Sequence, residues 1–441
     1  MNKSYVLVLS VFVFFCIGCK PKEEPIYVSS QNYYEAIDKL TKTMVHDIFS
    51  PPVASRIYVY PNIAAYEIIA QKNDKYKPLA KQIRALEAIP KVSNTNVNLE
   101  VSAIVAYLEL SKKLVFTQDL INTYQDSLFL VWKNTNKLEF EASKTYGISV
   151  ANHINKWISE DNYKETRSMP KFAVNTDEGS RWQPTPPSYM NGIEPHWMKM
   201  RTLTLGSSAQ FKPKEHPKFS LEKESDFYKE LQEVYDLTTA IEKKGNTAEE
   251  LKIAQFWDCN PYVVVSKGHL MTATKKITPG AHWVGITKIA CKKSNYNFED
   301  AIYANTLTSI GIFDAFISCW DEKYRSNLIR PETLINQNID KNWKPFLQTP
   351  PFPEYTSGHS VVSGTASTIL THLFGDNFDF IDDTELEYGL PTRSFYSFNQ
   401  AADEAAISRL YGGIHYRAAV DNGIGQGRNV GENILKSLIL K

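Results

Sequence analysis

Three short segments in the C-terminal part of the chain carry residue types that can hold a multiply charged anion. The first contains Lys323 and Arg330, seven positions apart and followed by Pro331. In a continuous helix this spacing is two turns, so both cations would lie on one face. Because no acidic partner stands at a matching offset, an anion is the expected counter-charge, and a solvated basic surface is the alternative.

The second segment is Ser357, Gly358 and His359, which stand between a proline-rich approach and an apolar stripe with helical spacing. At a helix start, free backbone N–H groups, the positive end of the helix dipole and a hydroxyl converge on one point. Such a point suits an anion. The simpler alternative is that Ser357 only caps the helix.

The third segment contains Arg409 and His415. Arg409 stands near the C-terminal end of a helix predicted for residues 401–411, and two glycines then allow a tight turn before His415. Asp421 follows six positions later. Taken alone, the arginine could merely complement the helix dipole, and the histidine could be a satisfied core residue.

The three segments, in this order, resemble the signature shared by vanadium-dependent haloperoxidases and type 2 phosphatidic-acid-phosphatase-like enzymes. The pattern is Lys-x6-Arg-Pro, then Ser-Gly-His, then Ser-Arg-x5-His-x5-Asp, and every anchor position matches. The resemblance is specific from about Ile253 to the C-terminus. It is greatest for the bacterial vanadium iodoperoxidases, which are helical exported enzymes of about this size.

The resemblance implies which residues would hold the cofactor, vanadate. Lys323, Arg330 and Arg409 would neutralise it, and the guanidinium groups can form bidentate bonds. Ser357 and the N–H of Gly358 would complete the cradle. No haem is expected.

The resemblance also implies distinct roles for the two histidines. His415 would be the protein ligand of vanadium, and Asp421 would orient it through its other ring nitrogen. His359 would be the general acid–base on the opposite side. Together with Lys323, which would polarise the bound peroxide, these histidines form the expected catalytic set.

The implied reaction is the oxidation of a halide by hydrogen peroxide to a hypohalous acid equivalent, with iodide the most easily oxidised halide. One alternative is an exported acid phosphatase that hydrolyses phosphate monoesters through a phosphohistidine on the same residues. Another is a surface protein that captures the oxyanion without turnover, although binding alone would not need two histidines.

Further positions match family residues around the halide pocket. Trp320 and Phe352 correspond to Trp and Phe in chloroperoxidase-like members, where algal bromoperoxidases have Arg and His. Trp320 also continues an apolar helical stripe, so a core role is the alternative. Asp258 is expected to support Arg409, and Tyr262 is expected to line the halide pocket.

Hydrophobic periodicity predicts a mainly α fold, a helical bundle of the vanadium haloperoxidase and acid phosphatase type. Apolar residues recur at helical spacing over 101–108, 150–157 and 302–320. We therefore predict one helical catalytic domain over residues 31–441, with its active site in 253–441. Seven prolines interrupt the pattern in 169–219, and this loop is predicted to be either a clamp between two helical halves or an active-site lid.

The N-terminal segment predicts export. Residues 1–19 contain Lys3, a 14-residue apolar run and a small residue before Cys19, which resembles a bacterial lipobox except for Cys16 where leucine is usual. An ordinary signal peptide is the alternative. Residues 20–30 read as a charged tether, so we expect a lipid anchor at the outer membrane or cell surface, or otherwise a periplasmic protein.

Composition excludes some other functions. Lys and Arg together number 49, as do Asp and Glu, so nothing favours nucleic-acid binding. Beyond the N-terminal segment there are three cysteines, Cys259, Cys291 and Cys319, without zinc-like spacing. Their odd number argues against a disulfide framework, so we expect buried thiols. His282 and Asp314 are interpreted as structural.

Overall fold

The computed structural model describes residues 24–261, 264–267, 270–273 and 275–441. This part of the chain is mainly α, which confirms the predicted fold class. The helices are α1 (Ser30–Asp47), α2 (Pro51–Ile69), α3 (Leu99–Leu114), α4 (Asp119–Thr135), α5 (Lys137–Ile158), α6 (Tyr163–Ser168), α7 (Asp226–Lys244), α8 (Glu249–Phe256), α9 (Pro279–Lys293), α10 (Phe298–Ser326), α11 (Pro331–Asn338), α12 (Gly358–Phe374), α13 (Phe398–Tyr411) and α14 (Arg417–Ser437).

Two short antiparallel hairpins complete the regular structure of the described residues. β1 (Val264–Lys267) pairs with β2 (Leu270–Ala273), and β3 (Phe380–Asp382) pairs with β4 (Arg393–Phe395). The apolar stripes of the sequence fall within α3, α5 and α10, as their 3.6-residue period predicts.

The centre of the core is α10, which packs against α2, α12 and α14. It is the one helix among the described residues that is long and apolar enough to cross a membrane, and its most apolar window is entirely buried inside the protein. α2 is buried along its whole length as well. Neighbouring helices therefore surround α2 and the most apolar part of α10 on every side.

Glycines set the distance between α12 and α14. A Cβ added at Gly427 would lie 2.1 Å from the carbonyl oxygen of Val361, and one at Gly364 would lie 2.6 Å from that of Ile424. The two backbones can approach this closely only where side chains are missing. Since α12 begins at the Ser-Gly-His segment and α14 begins just after His415, this contact fixes the two segments relative to each other.

The proline-rich region packs on the segment between α10 and α11. The N–H of Trp182 donates to the carbonyl of Asn327 at 2.9 Å, and the N–H of Ile329 donates to that of Ser180 at 2.9 Å. The indole of Trp182 is fully buried. These contacts hold in place the turn that leads to Arg330.

Candidate active site

The chain between the two cations of the first segment is not helical, contrary to the arrangement considered from their spacing. α10 ends at Ser326, and Asn327 caps it in the left-handed conformation, with φ 49°. Arg330 is extended and forms the N-cap of α11. The two cations therefore meet through a turn and not through a shared helix face.

Both cations are buried and are anchored on one stretch of backbone. The Nζ of Lys323 donates to the carbonyls of Pro353 (3.1 Å) and Glu354 (3.0 Å), and the Nε of Arg330 donates to that of Phe352 (2.9 Å). Both side chains have no exposed surface. Carbonyl oxygens carry only partial charge, and neither cation forms a salt bridge within the described residues, although the nearby carboxylate of Glu354 acts on both.

The second segment forms the first turn of α12. Ser357 is the N-cap, and its Oγ accepts from the N–H of Ser360 at 3.3 Å, so it does cap the helix. His359 follows Gly358, and its ring bonds to the backbone carbonyl of Trp257. Within the described part of the chain, its Nε2 is buried and lacks a hydrogen-bond partner. Nδ1 is therefore the nitrogen that donates to the carbonyl.

Arg409 and His415 come from α13 and from the turn after it. The Nε of Arg409 donates to the Oγ of Ser408 (2.9 Å), and its Nη2 donates to the carbonyl of Ala254 (3.2 Å). Gly413 has a φ of 76°, which a residue with a side chain rarely adopts, and it reverses the chain toward the cavity. His415 follows as a buried residue.

Glu354, and not Asp421, holds the imidazole of His415. The Nδ1 of His415 lies 2.7 Å from the Oε1 of Glu354, and its Nε2 lies 3.1 Å from the Nη1 of Arg330. A guanidinium can only donate, so Nε2 is the acceptor and Nδ1 carries the proton. Asp421 is exposed on α14 and its charge faces Arg417, so its predicted role is wrong.

Glu354 was missed by the sequence reasoning. It also accepts from the N–H of Tyr416 at 3.0 Å, while its buried Oε2 has no partner among the described residues. The one feature of the sequence that could have pointed to Glu354 is that it is an acidic residue in the proline-rich stretch before Ser357. Since 61 positions separate it from His415, no periodicity connects the two.

Trp320 and Phe352 pack against each other, with tilted rings, beside the cations. Their ring centroids lie 5.1 Å apart, and the Nζ of Lys323 lies 4.9 Å from the centroid of Phe352. Trp320 is both a core residue of α10 and part of the cavity wall, so the two interpretations of it coexist. The cavity wall includes Cys259, Trp320, Phe352, Gly358, His359, Arg409 and His415.

Asp258 lies near Arg409 without bonding it. Its Oδ2 forms an ion pair with Lys276, and its Oδ1 has no partner among the described residues. Its negative charge nevertheless raises the pKa of Arg409, against the larger lowering by burial. The expected support of Arg409 is therefore electrostatic. Tyr262 lies outside the described residues.

The electrostatics of the cavity are those of an anion site. Burial lowers the pKa of Lys323 to about 7 and that of Arg330 to about 10. Burial, and to a smaller extent the positive charge of Arg330, hold the pKa of His415 well below its usual value. Burial and the positive charge of Arg409 lower the pKa of His359 in the same way. Burial raises the pKa of Glu354 to about 8. An anion would relieve the repulsion among the cations.

Comparisons with known proteins find a family model and solved structures that are similar to this chain. The model of the VCPO second helical-bundle domain matches residues 304–439. The crystal structure described as the first bacterial vanadium-dependent iodoperoxidase is 58% identical, with a TM-score of 0.92, over 95% of this chain and 99% of that one.

Holo and apo structures of a bacterial vanadium-dependent chloroperoxidase share the fold at 16% identity. Their TM-scores are 0.67 and 0.65, over 89% and 88% of this chain and 93% and 95% of theirs. A search of curated proteins finds no match. High identity over nearly the full length of both chains shows that this protein belongs to the vanadium-dependent haloperoxidases.

Proposed function

We propose that the protein binds vanadate in this cavity and oxidises halide, iodide first, with hydrogen peroxide. The observation that carries the proposal is a buried cationic cavity in which two polar atoms are left unpaired. The Nη2 of Arg330 and the Nε2 of His359 have no partner among the described residues. Buried polar atoms are normally bonded, so these atoms fit an absent oxyanion.

Vanadate fits the donors that the cavity offers. Lys323, Arg330 and Arg409 would balance its charge, and the hydroxyl of Ser357 and the N–H of Gly358 would donate to its oxygens. When bound, it would supply a Lewis-acid centre that activates hydrogen peroxide. Lys323, with a third N–H beyond its two carbonyl bonds, would polarise that peroxide.

The two histidines would have different roles because their Nε2 atoms differ: that of His415 accepts from Arg330, and that of His359 has no partner among the described residues. Glu354 fixes the proton of His415 on Nδ1, so Nε2 keeps its lone pair, which accepts an N–H of Arg330 in this structure and would act as the ligand when vanadate is bound. The Nδ1 of His359 donates a hydrogen bond to the carbonyl of Trp257. Its Nε2 can therefore take a proton from peroxide or water and return it.

The apolar rings would shape the halide side of the cavity. Trp320 and Phe352 exclude water next to the cations, and a large polarisable anion loses less hydration there than a small one. The similarity to an iodoperoxidase at 58% identity also supports iodide. Chloride, which is hardest to oxidise, is expected to be the poorest substrate.

One experiment tests the reaction. The vanadate-free protein is incubated with orthovanadate or with phosphate, and iodide, bromide and chloride oxidation are measured beside nitrophenyl phosphate hydrolysis. We expect vanadate-dependent iodide oxidation that phosphate suppresses by competition. Phosphate-ester hydrolysis without vanadate, and no halide oxidation with it, would instead support the acid phosphatase.

We also propose export and a lipid anchor at Cys19, supported by the lipobox-like sequence alone, because residues 1–23 lie outside the described structure. Cys19→Ser should move the protein from the membrane fraction to the soluble fraction. Mass spectrometry of the wild-type N-terminus should find a diacylglyceryl cysteine. Unchanged partition of the variant, with an unmodified N-terminus, would contradict the proposal.

A further inference from the structure

A second cluster of ligating side chains adjoins the active-site cavity, whose wall includes Cys259. Cys259 precedes the β1–β2 hairpin, His282 stands in the first turn of α9, and Glu385 follows β3. Their exposures are 1%, 0% and 4%, and one ligand atom from each lies within 4.8 Å of the others. Three distant segments therefore bring a thiol, an imidazole and a carboxylate to one buried point.

The distances among the three atoms match the edges of a tetrahedral metal site. The Sγ of Cys259 lies 3.4 Å from the Nδ1 of His282 and 3.6 Å from the Oε1 of Glu385, and Nδ1 lies 3.4 Å from Oε1. Zinc sits about 2.3 Å from sulfur and about 2.0–2.2 Å from nitrogen or oxygen. Tetrahedral angles then give edges of about 3.6 Å for S–N and for S–O, and about 3.4 Å for N–O.

A carboxylate holds the imidazole from its other side. The Nε2 of His282 lies 2.8 Å from the Oδ2 of Asp382, and the ring stacks on Trp257 with centroids 4.4 Å apart. A histidine that binds a metal usually donates its second N–H to such a carboxylate. With Nε2 donating to Asp382, the neutral imidazole that a metal requires would direct the lone pair of Nδ1 at the cluster.

Hydrogen bonds to the thiol are the alternative, because the Sγ of Cys259 lies within hydrogen-bond distance of Nδ1 and of Oε1, but they do not account for the separation of Nδ1 from Glu385. An imidazolium between two carboxylates would make a charge-assisted bond of about 2.7–2.9 Å to each. His282 does so with Asp382, yet its Nδ1 stays 3.4 Å from Glu385 although both groups are buried. The cluster also collects two carboxylates and a thiol around a single imidazole. A divalent cation would balance that charge and occupy the gap.

We propose that Cys259, His282 and Glu385 bind one divalent metal ion of the zinc type, separate from the vanadate site. Among the described residues, no fourth His, Cys, Asp or Glu joins the group, so water would fill the fourth position. The ion would tie the segment around residue 259 to α9 and to the loop after β3. That segment includes Trp257, whose carbonyl orients His359, so the metal would stiffen the active-site wall.

The test measures metal content and not activity, so its result is independent of the proposed reaction. The intact chain is stripped of metal, titrated with zinc chloride, and the bound metal is measured by mass spectrometry after gel filtration. We expect about one zinc per chain in the wild type and in Cys291→Ser, a control that removes another buried free thiol. Cys259→Ala should lose this site, and Asp382→Asn should bind zinc about 10–100-fold more weakly.

Cobalt gives a second readout. Loading with cobalt should produce a near-ultraviolet thiolate-to-cobalt charge-transfer band in the wild type and in Cys291→Ser, but not in Cys259→Ala. If Cys259→Ala loses its helical circular dichroism, Glu385→Gln, which keeps the side-chain shape, takes its place in the zinc titration. A wild-type chain that binds no stoichiometric zinc, or equal binding by folded Cys259→Ala, would overturn the proposal.

Discussion

Replacing Arg330 with alanine tests whether the cavity is an oxyanion site. Its guanidinium is fully buried and donates three hydrogen bonds within the protein. The acceptors are the carbonyls of Phe352 (2.9 Å) and Ile414 (2.8 Å) and the Nε2 of His415 (3.1 Å). Nη2 has no partner among the described residues, so both of its N–H groups are available to a ligand.

The size of the effect follows from those free N–H groups. A hydrogen bond to a charged group contributes about 1.5–3 kcal/mol, so losing one should weaken vanadate binding about 10- to 150-fold. The same change removes the strongest cationic neighbour of His415, and the pKa of that imidazole should rise, since Arg330 is the largest contributor to its lowering after burial. A protonated Nε2 cannot act as a ligand, so the loss of affinity should grow as the pH falls.

The matched control is Arg325→Ala, which deletes the same charge five positions earlier. Arg325 is partly exposed and already pairs with Asp321 and Glu322 on α10. Solvent and salt screen it, so vanadate affinity should change less than about twofold. Affinity is measured by titrating each vanadate-free protein with orthovanadate at two salt concentrations.

Two results would refute the reasoning. Equal vanadate affinity in the wild type and Arg330→Ala would mean that Arg330 contributes only to packing. Equal losses in Arg330→Ala and Arg325→Ala, both abolished by salt, would mean that only the net charge matters and that the cavity has no specific cradle.

The other predictions concern the same cavity. His415→Ala should lose vanadium and nearly all peroxidase activity, whereas His359→Ala should keep bound vanadium while activity falls about 10²–10⁴-fold; equal vanadium contents would contradict these separate roles. Glu354→Gln should lower vanadate affinity or activity about 10–100-fold, and Asp421→Asn should leave both unchanged. A loss in Asp421→Asn but not in Glu354→Gln would instead mean that Asp421 orients His415. Burial lowers the pKa of Lys323 to about 7 in the folded protein, below the value of about 10.4 expected in the unfolded chain. The unfolded chain binds more protons between these values, so the vanadate-free wild type should gain stability relative to Lys323→Met as the pH rises from about 7 to 10, and urea unfolding that shows no such gain would contradict the lowered pKa of Lys323.

Much of this protein can be predicted from local patterns in the sequence. The helices follow from apolar residues at a 3.6-residue period, because a buried helix face needs side chains at that spacing wherever the rest of the chain lies. Ser357 starts α12 because a serine hydroxyl caps free N–H groups within its own turn. The cations and histidines of the site were identifiable because their types and order match a family signature, although their geometry was not.

Contacts between distant segments were decided by the tertiary structure alone. Spacing placed Arg330 on the helix of Lys323, but the helix ends at Ser326, where the packed proline-rich region holds the chain in a turn. Six positions after His415, Asp421 has rotated to the exposed face of α14, and the carboxylate that reaches the imidazole comes from Glu354. Likewise, the spacing of the cysteines does not predict the cluster of Cys259 with His282 and Glu385, because these two partners lie on α9 and after β3. Such contacts depend on how the helices pack, and packing is a property of the whole chain.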